Sequence, residues 1–106
     1  MPGEETLADY GQNLPYSLEA EQSVLGAILI DPEKLPEVMS AIKAPGVFYA
    51  RQHQELYGLM IQMFSASRPI DYVTLLEESQ QAGVFENSQN AKTYLLHLME
   101  LVPTTA

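Results

Sequence analysis

Apolar residues recur at helical spacing in five stretches of the chain, each bounded by polar or turn-forming residues. The first stretch opens at Tyr16-Ser17. Ser17 is a good N-cap, because its hydroxyl can accept from an otherwise unpaired N–H of the first turn. Glu19 and Glu21 fall in that turn, where the helix dipole favours negative charge. Leu18, Leu25, Ile28 and Leu29 follow at helical spacing, and Val24 widens the apolar face. The spacing predicts a helix over Leu18–Ile30. Gly26 lies in its interior, where Gly costs about 1 kcal/mol relative to Ala. Such a residue permits another helix backbone to come close, which is a packing role.

Asp31-Pro32 breaks the pattern and restarts it. Asp31 can cap, and Pro32 suits the first position of a helix because its missing N–H would be unpaired there. Leu35, Val38, Met39 and Ile42 form the stripe of a second helix. Pro36 offers a later start, with Pro32 in a turn before it. Ala44-Pro45-Gly46 ends this element. The third helix is predicted from Tyr49 to Ala66, with Arg68-Pro69 as its stop. Its residues Leu56, Tyr57, Met60, Ile61, Met63 and Phe64 cover more than one face, which marks the central helix of the domain.

Asp71 is the expected cap of a fourth helix, which carries Val73, Leu75 and Leu76 and ends near Ala82. Gly83 suits a left-handed turn after it. A loop is expected from Val84 to Asn90, then a fifth helix with Ala91, Tyr94, Leu95, Leu98 and Val102, ended by Pro103. Five helices without alternating strands predict an all-α fold, an orthogonal bundle of about five helices. Met1 to Pro15 carries two Pro, two Gly and three acids with no period. Such a composition predicts a disordered tail over residues 1–15 and a folded domain over 16–106.

A chain of 106 residues is the size of one domain. It holds 14 acidic and 5 basic residues, a formal charge of -9. Omitting the tail's Glu4, Glu5 and Asp9 leaves 11 acids against 5 bases, or -6, so the acidity belongs to the bundle. A nucleic-acid groove needs Lys and Arg to neutralise phosphates, so direct binding of DNA or RNA is disfavoured. Cys is absent, which excludes disulfides, thiol nucleophiles and Cys-built zinc sites. The N-terminus has no secretory pattern, and the longest apolar run, Val24 to Ile30, is far short of the ~18 residues that cross a bilayer. A soluble, intracellular protein is expected.

Catalytic chemistry is mostly missing from the sequence. A phosphate-binding loop needs a Gly-rich turn leading to a Lys. Lys34, Lys43 and Lys92 follow Glu33, Ile42 and Ala91, so no Walker motif exists. His53 and His97 have no second His three or four residues away, and no metal site is expected. His53 is expected to be structural, bonding across the bundle or capping a neighbour; His97 sits at the edge of an apolar face. Glu77 and Glu78 are adjacent on a helix and point about 100° apart, so they do not converge on one atom. A stand-alone enzyme would need carboxylates such as Glu21, Glu55 and Asp71 to meet in a pocket. Their expected roles are dipole complement, surface charge and N-cap. The stripe of Tyr57, Met60, Met63 and Phe64 reads as core, with a partner-helix groove as the other option. Structural roles are thus expected for Ser17, Gly26, Asp31, His53 and Asp71, and catalytic, cofactor or metal roles for none.

Four blocks in order resemble the N-terminal domain of DnaB-type bacterial replicative helicases. They are the run Pro15 to Pro32 (PYSLEAEQSVLGAILIDP), then Phe48-Tyr49 with His53 and Tyr57, then Pro69 to Leu75 (PIDYVTL), and last Tyr94-Leu95, Leu98 and Val102-Pro103-Thr104. They cover nearly the whole chain. The resemblance implies an all-helical collar of a ring hexamer, a trimer of dimers stacked on RecA-like ATPase domains. It implies roles in ring assembly and primase docking, with the helicase loader a further partner. ATP, Mg and most strand contact would belong to the ATPase ring, with no cofactor in this domain. A helical hairpin that supplies much of the dimer and primase surface would begin near Ala106. The helicase-interacting C-terminal domain of primase is a similar helical bundle and is the alternative. The motif Glu21-Gln22-x-x-Leu25-Gly26 followed by Asp31-Pro32 sides with the helicase.

Overall fold

In the computed structural model, which describes residues 17–101, the first helix, α1 (Leu18–Ile30), starts where the Ser17 hydroxyl accepts from Ala20 N at 3.1 Å. The expected tail and the residues from Val102 onward lie outside the described residues. A 3-10 turn, Pro32–Lys34, leads into α2 (Leu35–Ala41), and a second 3-10 turn, Pro45–Val47, leads towards α3 (Arg51–Ser65). Helices α4 (Tyr72–Ala82) and α5 (Ser88–Glu100) complete an all-α, orthogonal bundle, with no strand among the described residues.

Helix α1 packs on α3 and α5, and α4 also packs on α3 and α5, so these four close around one core. The Pro32–Lys34 turn lies against α1 and α2, and the Pro45–Val47 turn lies against α3. The core is built from Leu25, Ile28 and Leu29 of α1, Leu35 of α2, Leu56, Tyr57, Met60 and Met63 of α3, Leu75 of α4, and Leu95 and Leu98 of α5. Each side chain of this size contributes about 1.5–3 kcal/mol when fully buried. Helix α3 supplies more of this core than any other element, as expected of a central helix. Gly26 is buried within α1. Its neighbour Leu25 and, one turn on, Leu29 are buried too.

Several local expectations are corrected. The Asp31 side chain makes no capping bond. Pro32 has no N–H to offer, and the Lys34 N–H is taken by the Asp31 carbonyl at 3.0 Å. Asp31 therefore closes the turn with its backbone. Helix α2 starts at Leu35, and Pro36 sits in its first turn, where proline is tolerated. Helix α5 starts at Ser88, inside the stretch expected as loop, because the Asn87 side chain accepts from Asn90 N at 2.8 Å.

Leu18, Phe64 and Val73 were expected on apolar faces and are instead 44%, 42% and 59% exposed. Each lies at a helix end or one residue from it.

Helix α3 ends at Ser65, with Ser67 left-handed at φ 58. The Arg68 N–H then returns to Met63 O at 2.8 Å and the Ser67 N–H to Phe64 O at 3.0 Å, a Schellman closure made without glycine. Helix α4 ends the same way at Gly83, φ 70, with Val84 N bonded to Ser79 O at 3.0 Å.

Candidate functional site

Helix α3 begins at a residue that cannot cap it. Ala50 has no side-chain acceptor, and the first-turn N–H groups of a helix need one. A carboxylate from α1 instead fixes the two residues that lead into the helix. Glu21 Oε2 accepts from Tyr49 N at 2.6 Å and Glu21 Oε1 from Ala50 N at 3.3 Å. The carboxylate thus sits at the positive end of the α3 dipole, where negative charge is favoured. Two residues expected in the helix, Tyr49 and Ala50, are held outside it by these bonds.

From Glu21 a chain of hydrogen bonds crosses the bundle. His53 Nδ1 lies 2.7 Å from Glu21 Oε1, and His53 Nε2 lies 2.6 Å from the Tyr94 hydroxyl on α5. Gln22 Nε2 donates to the same hydroxyl at 2.9 Å. One assignment satisfies every group. Gln22 donates to Tyr94, Tyr94 donates to His53 Nε2, and a neutral His53 donates from Nδ1 to Glu21. Burial pushes the Tyr94 phenol above its ordinary range; the Gln22 bond lowers it, and the Glu21 charge raises it further. The phenol therefore keeps its proton and remains a donor.

This arrangement fastens helices together. The His53 side chain is 1% exposed, so no substrate atom reaches its ring nitrogens. Phe48 meets the His53 ring edge-on at 6.3 Å between centroids and tilts against Tyr57 at 5.0 Å. The Tyr57 hydroxyl donates to Ile42 O at 2.6 Å, tying α3 to the end of α2, and burial raises its pKa as well. Among the described residues no buried side-chain polar atom lacks a partner.

The three carboxylates that an enzyme reading would bring together are engaged separately. Glu21 holds the Tyr49 and Ala50 N–H groups ahead of α3, Glu55 pairs with Arg51 at 3.0 Å, and Asp71 accepts from Thr74 N at 2.9 Å. Glu78 pairs with Arg68 at 2.6 Å, and Glu77 is exposed. No group of three or more His, Asp or Glu among the described residues is placed to share a metal ion. None of the described helices is long and apolar enough to cross a membrane.

Sequence reasoning singled out His53 but not its partners Glu21, Gln22 and Tyr94 as a unit. Glu21 had a sufficient explanation in its own helix. The available signal was the bare start of α3, a helix of 15 residues with neither Ser, Thr, Asn nor Asp beside its first turn.

On the surface, an open cleft of ≈ 640 Å³ lies beside Tyr94 and is also lined by His97. Tyr94 is the member of the polar chain that reaches it.

The polar chain uses residues from three of the four blocks that pointed to a helicase domain. A model of the DnaB-like helicase N terminal domain matches residues 13–106. The chain belongs to that family. Among curated relatives, the replicative DNA helicase DnaB of Rhodothermus marinus is 34% identical over 96 residues, 91% of this chain and 10% of the helicase. That of Geobacillus stearothermophilus is 37% identical over 92 residues, 87% of this chain and 20% of the helicase. The chain thus spans a tenth to a fifth of these relatives' length. The crystal structure of the N-terminal domain of DnaB helicase from Mycobacterium tuberculosis superposes with a TM-score of 0.76 at 34% identity, covering 85% of this chain and 64% of that one. A DnaB-like N-terminal domain, not the primase bundle held open from the sequence, is therefore the family of this chain.

Proposed function

We propose that this chain works as the non-catalytic N-terminal domain of a hexameric replicative DNA helicase, helping the ring assemble and docking primase at the fork. The observation that carries the reading is the family match over residues 13–106. The missing Walker motif and the acidic bundle agree with it, because ATP hydrolysis with Mg and strand contact would then fall to another domain. A helicase loader is a further candidate partner, and the cytoplasm is the compartment this role requires. The chain of bonds from Glu21 to Tyr94 would give such a collar a rigid head.

The test uses the full-length helicase and the same protein lacking residues 17–101, each mixed with primase from the same source. Light scattering after size-exclusion chromatography should show a hexamer that carries primase for the first and a loss of both for the second. An intact primase-bearing hexamer without these residues would refute the proposal. So would tight, saturable binding of single-stranded DNA by the chain alone with a steep salt slope.

A further inference from the structure

The cleft beside Tyr94 has an unusual wall for so acidic a domain. Phe85, Tyr94 and His97 line it. Tyr94 stands 5.5 Å from Phe85 and 6.4 Å from His97 between ring centroids, with tilts of 46° and 51°. The three rings thus form a concave surface instead of a closed stack. Glu86, Gln52 and Asn90 add a carboxylate and two amides to the lining. The Tyr94 hydroxyl is already bonded to His53 and Gln22, so its ring is held in place before anything binds.

We propose that this cleft receives the guanidinium group of an arginine carried on a basic segment of a partner protein. Aromatic faces attract a cation through their negative quadrupole. Guanidinium is flat and weakly hydrated, stacks on rings, and offers five donors in a rigid fork. Glu86 can take two of them side by side, and the amide oxygens of Gln52 and Asn90 can accept others. The charge of the domain supports the same occupant. The described residues hold 11 acids and 5 bases, and no Lys or Arg lines the cleft. Such a field draws in basic partners. A nucleobase could stack on the same rings, but its phosphates would meet repulsion without a single cation in the lining. The inference stands on the cleft and is independent of the helicase assignment.

The test titrates the isotope-labelled full chain with acetyl-Gly-Arg-Gly-amide at pH 8, where an ordinary imidazole is neutral. The control peptide carries citrulline, which keeps the shape and loses the charge. Arginine should give saturable shifts at Phe85, Thr93, Tyr94 and His97, and citrulline should bind about two- to fivefold more weakly. Glu86 is exposed, so Glu86→Gln should fold normally and weaken arginine binding by a similar factor. Equal binding of the two peptides, shifts centred elsewhere, absence of saturation, or an unchanged affinity in Glu86→Gln would each overturn the proposal. Stronger shifts of the same residues by an oligothymidylate would overturn it in favour of a nucleobase.

Discussion

At the start of α4, Asp71 Oδ1 accepts from Thr74 N at 2.9 Å while Thr74 Oγ1 accepts from Asp71 N at 2.9 Å. At the start of α3 the N–H groups of Tyr49 and Ala50 are taken by Glu21, 28 and 29 residues away on another helix. The first arrangement is a capping box written within four residues, and it needs nothing else from the fold. The second exists only when α1 is docked beside α3. One helix start is local and the other is tertiary, and the two should fail differently.

The largest effect is expected on the tertiary side. Glu21→Ala removes the carboxylate that Tyr49 N, Ala50 N and His53 Nδ1 bond and should cost about 3 kcal/mol, since charged hydrogen bonds contribute roughly 1.5–3 kcal/mol each. Glu21→Gln keeps the size but turns a donor towards one of those N–H groups, and should cost roughly half as much. Urea denaturation reads both, and a loss below about 1 kcal/mol for Glu21→Ala would show that the α3 start does not depend on α1.

The next effect separates the two regions by coupling. Tyr94→Phe removes the hydroxyl between His53 and Gln22, so its cost should be non-additive with Glu21→Ala by about 0.5 kcal/mol or more. It should add simply to Asp71→Ala. Coupling to Asp71 as strong as that to Glu21 would erase the distinction. Asp71→Ala by itself should cost about 0.5–2 kcal/mol, the ordinary value of a lost cap.

A smaller change should strengthen the molecule. Gly58 lies inside α3, and a Cβ built there meets only Pro45 Cγ at 3.7 Å, an ordinary contact. Gly58→Ala should therefore stabilise by about 0.5–1 kcal/mol through the backbone alone. A lower urea midpoint would show that the Pro45–Val47 turn is pressed against α3 too tightly for a methyl.

The last contrast is silent at neutral pH. Tyr57 and Tyr94 have pKa values raised above the ordinary 10.0 by burial. A raised value means the folded state holds its phenol proton more firmly than the unfolded chain. This stabilisation is complete below pH 10 and is lost as pH climbs through the folded-state values. The urea midpoint should fall above pH 10, and the fall should shrink in Tyr94→Phe. A fall of the same size in that variant would remove Tyr94 from the account.

The same division explains what could be read from the sequence. Ser17, Asp71 and Gly83 act on atoms a few residues away, so their residue types and spacing are enough to place the ends of α1 and α4. Asn87 acts locally too, yet the polar run from Glu86 to Asn90 offers several starts, and only geometry selects one. Ser67 takes a left-handed turn that sequence patterns assign to Gly or Asn. The anchoring of the α3 entry was unreadable for another reason. Glu21 carries two meanings at once, first-turn acid of its own helix and distant clamp on the residues that lead into the next long one. A single sequence displays only the nearer one.

The reach of Glu21 also bears on the order of events during folding. Its bonds to Tyr49, Ala50 and His53 span 28 to 32 residues, the contact from Gln22 to Tyr94 spans 72, and that from His53 to Tyr94 spans 41. Contacts so distant along the chain carry the loop-closure entropy of everything between them and form after local turns. The α4 box can close early, within one turn of chain. The entry to α3 has to wait for α1, and the bonded amides of Tyr49 and Ala50 then register the moment the head is assembled.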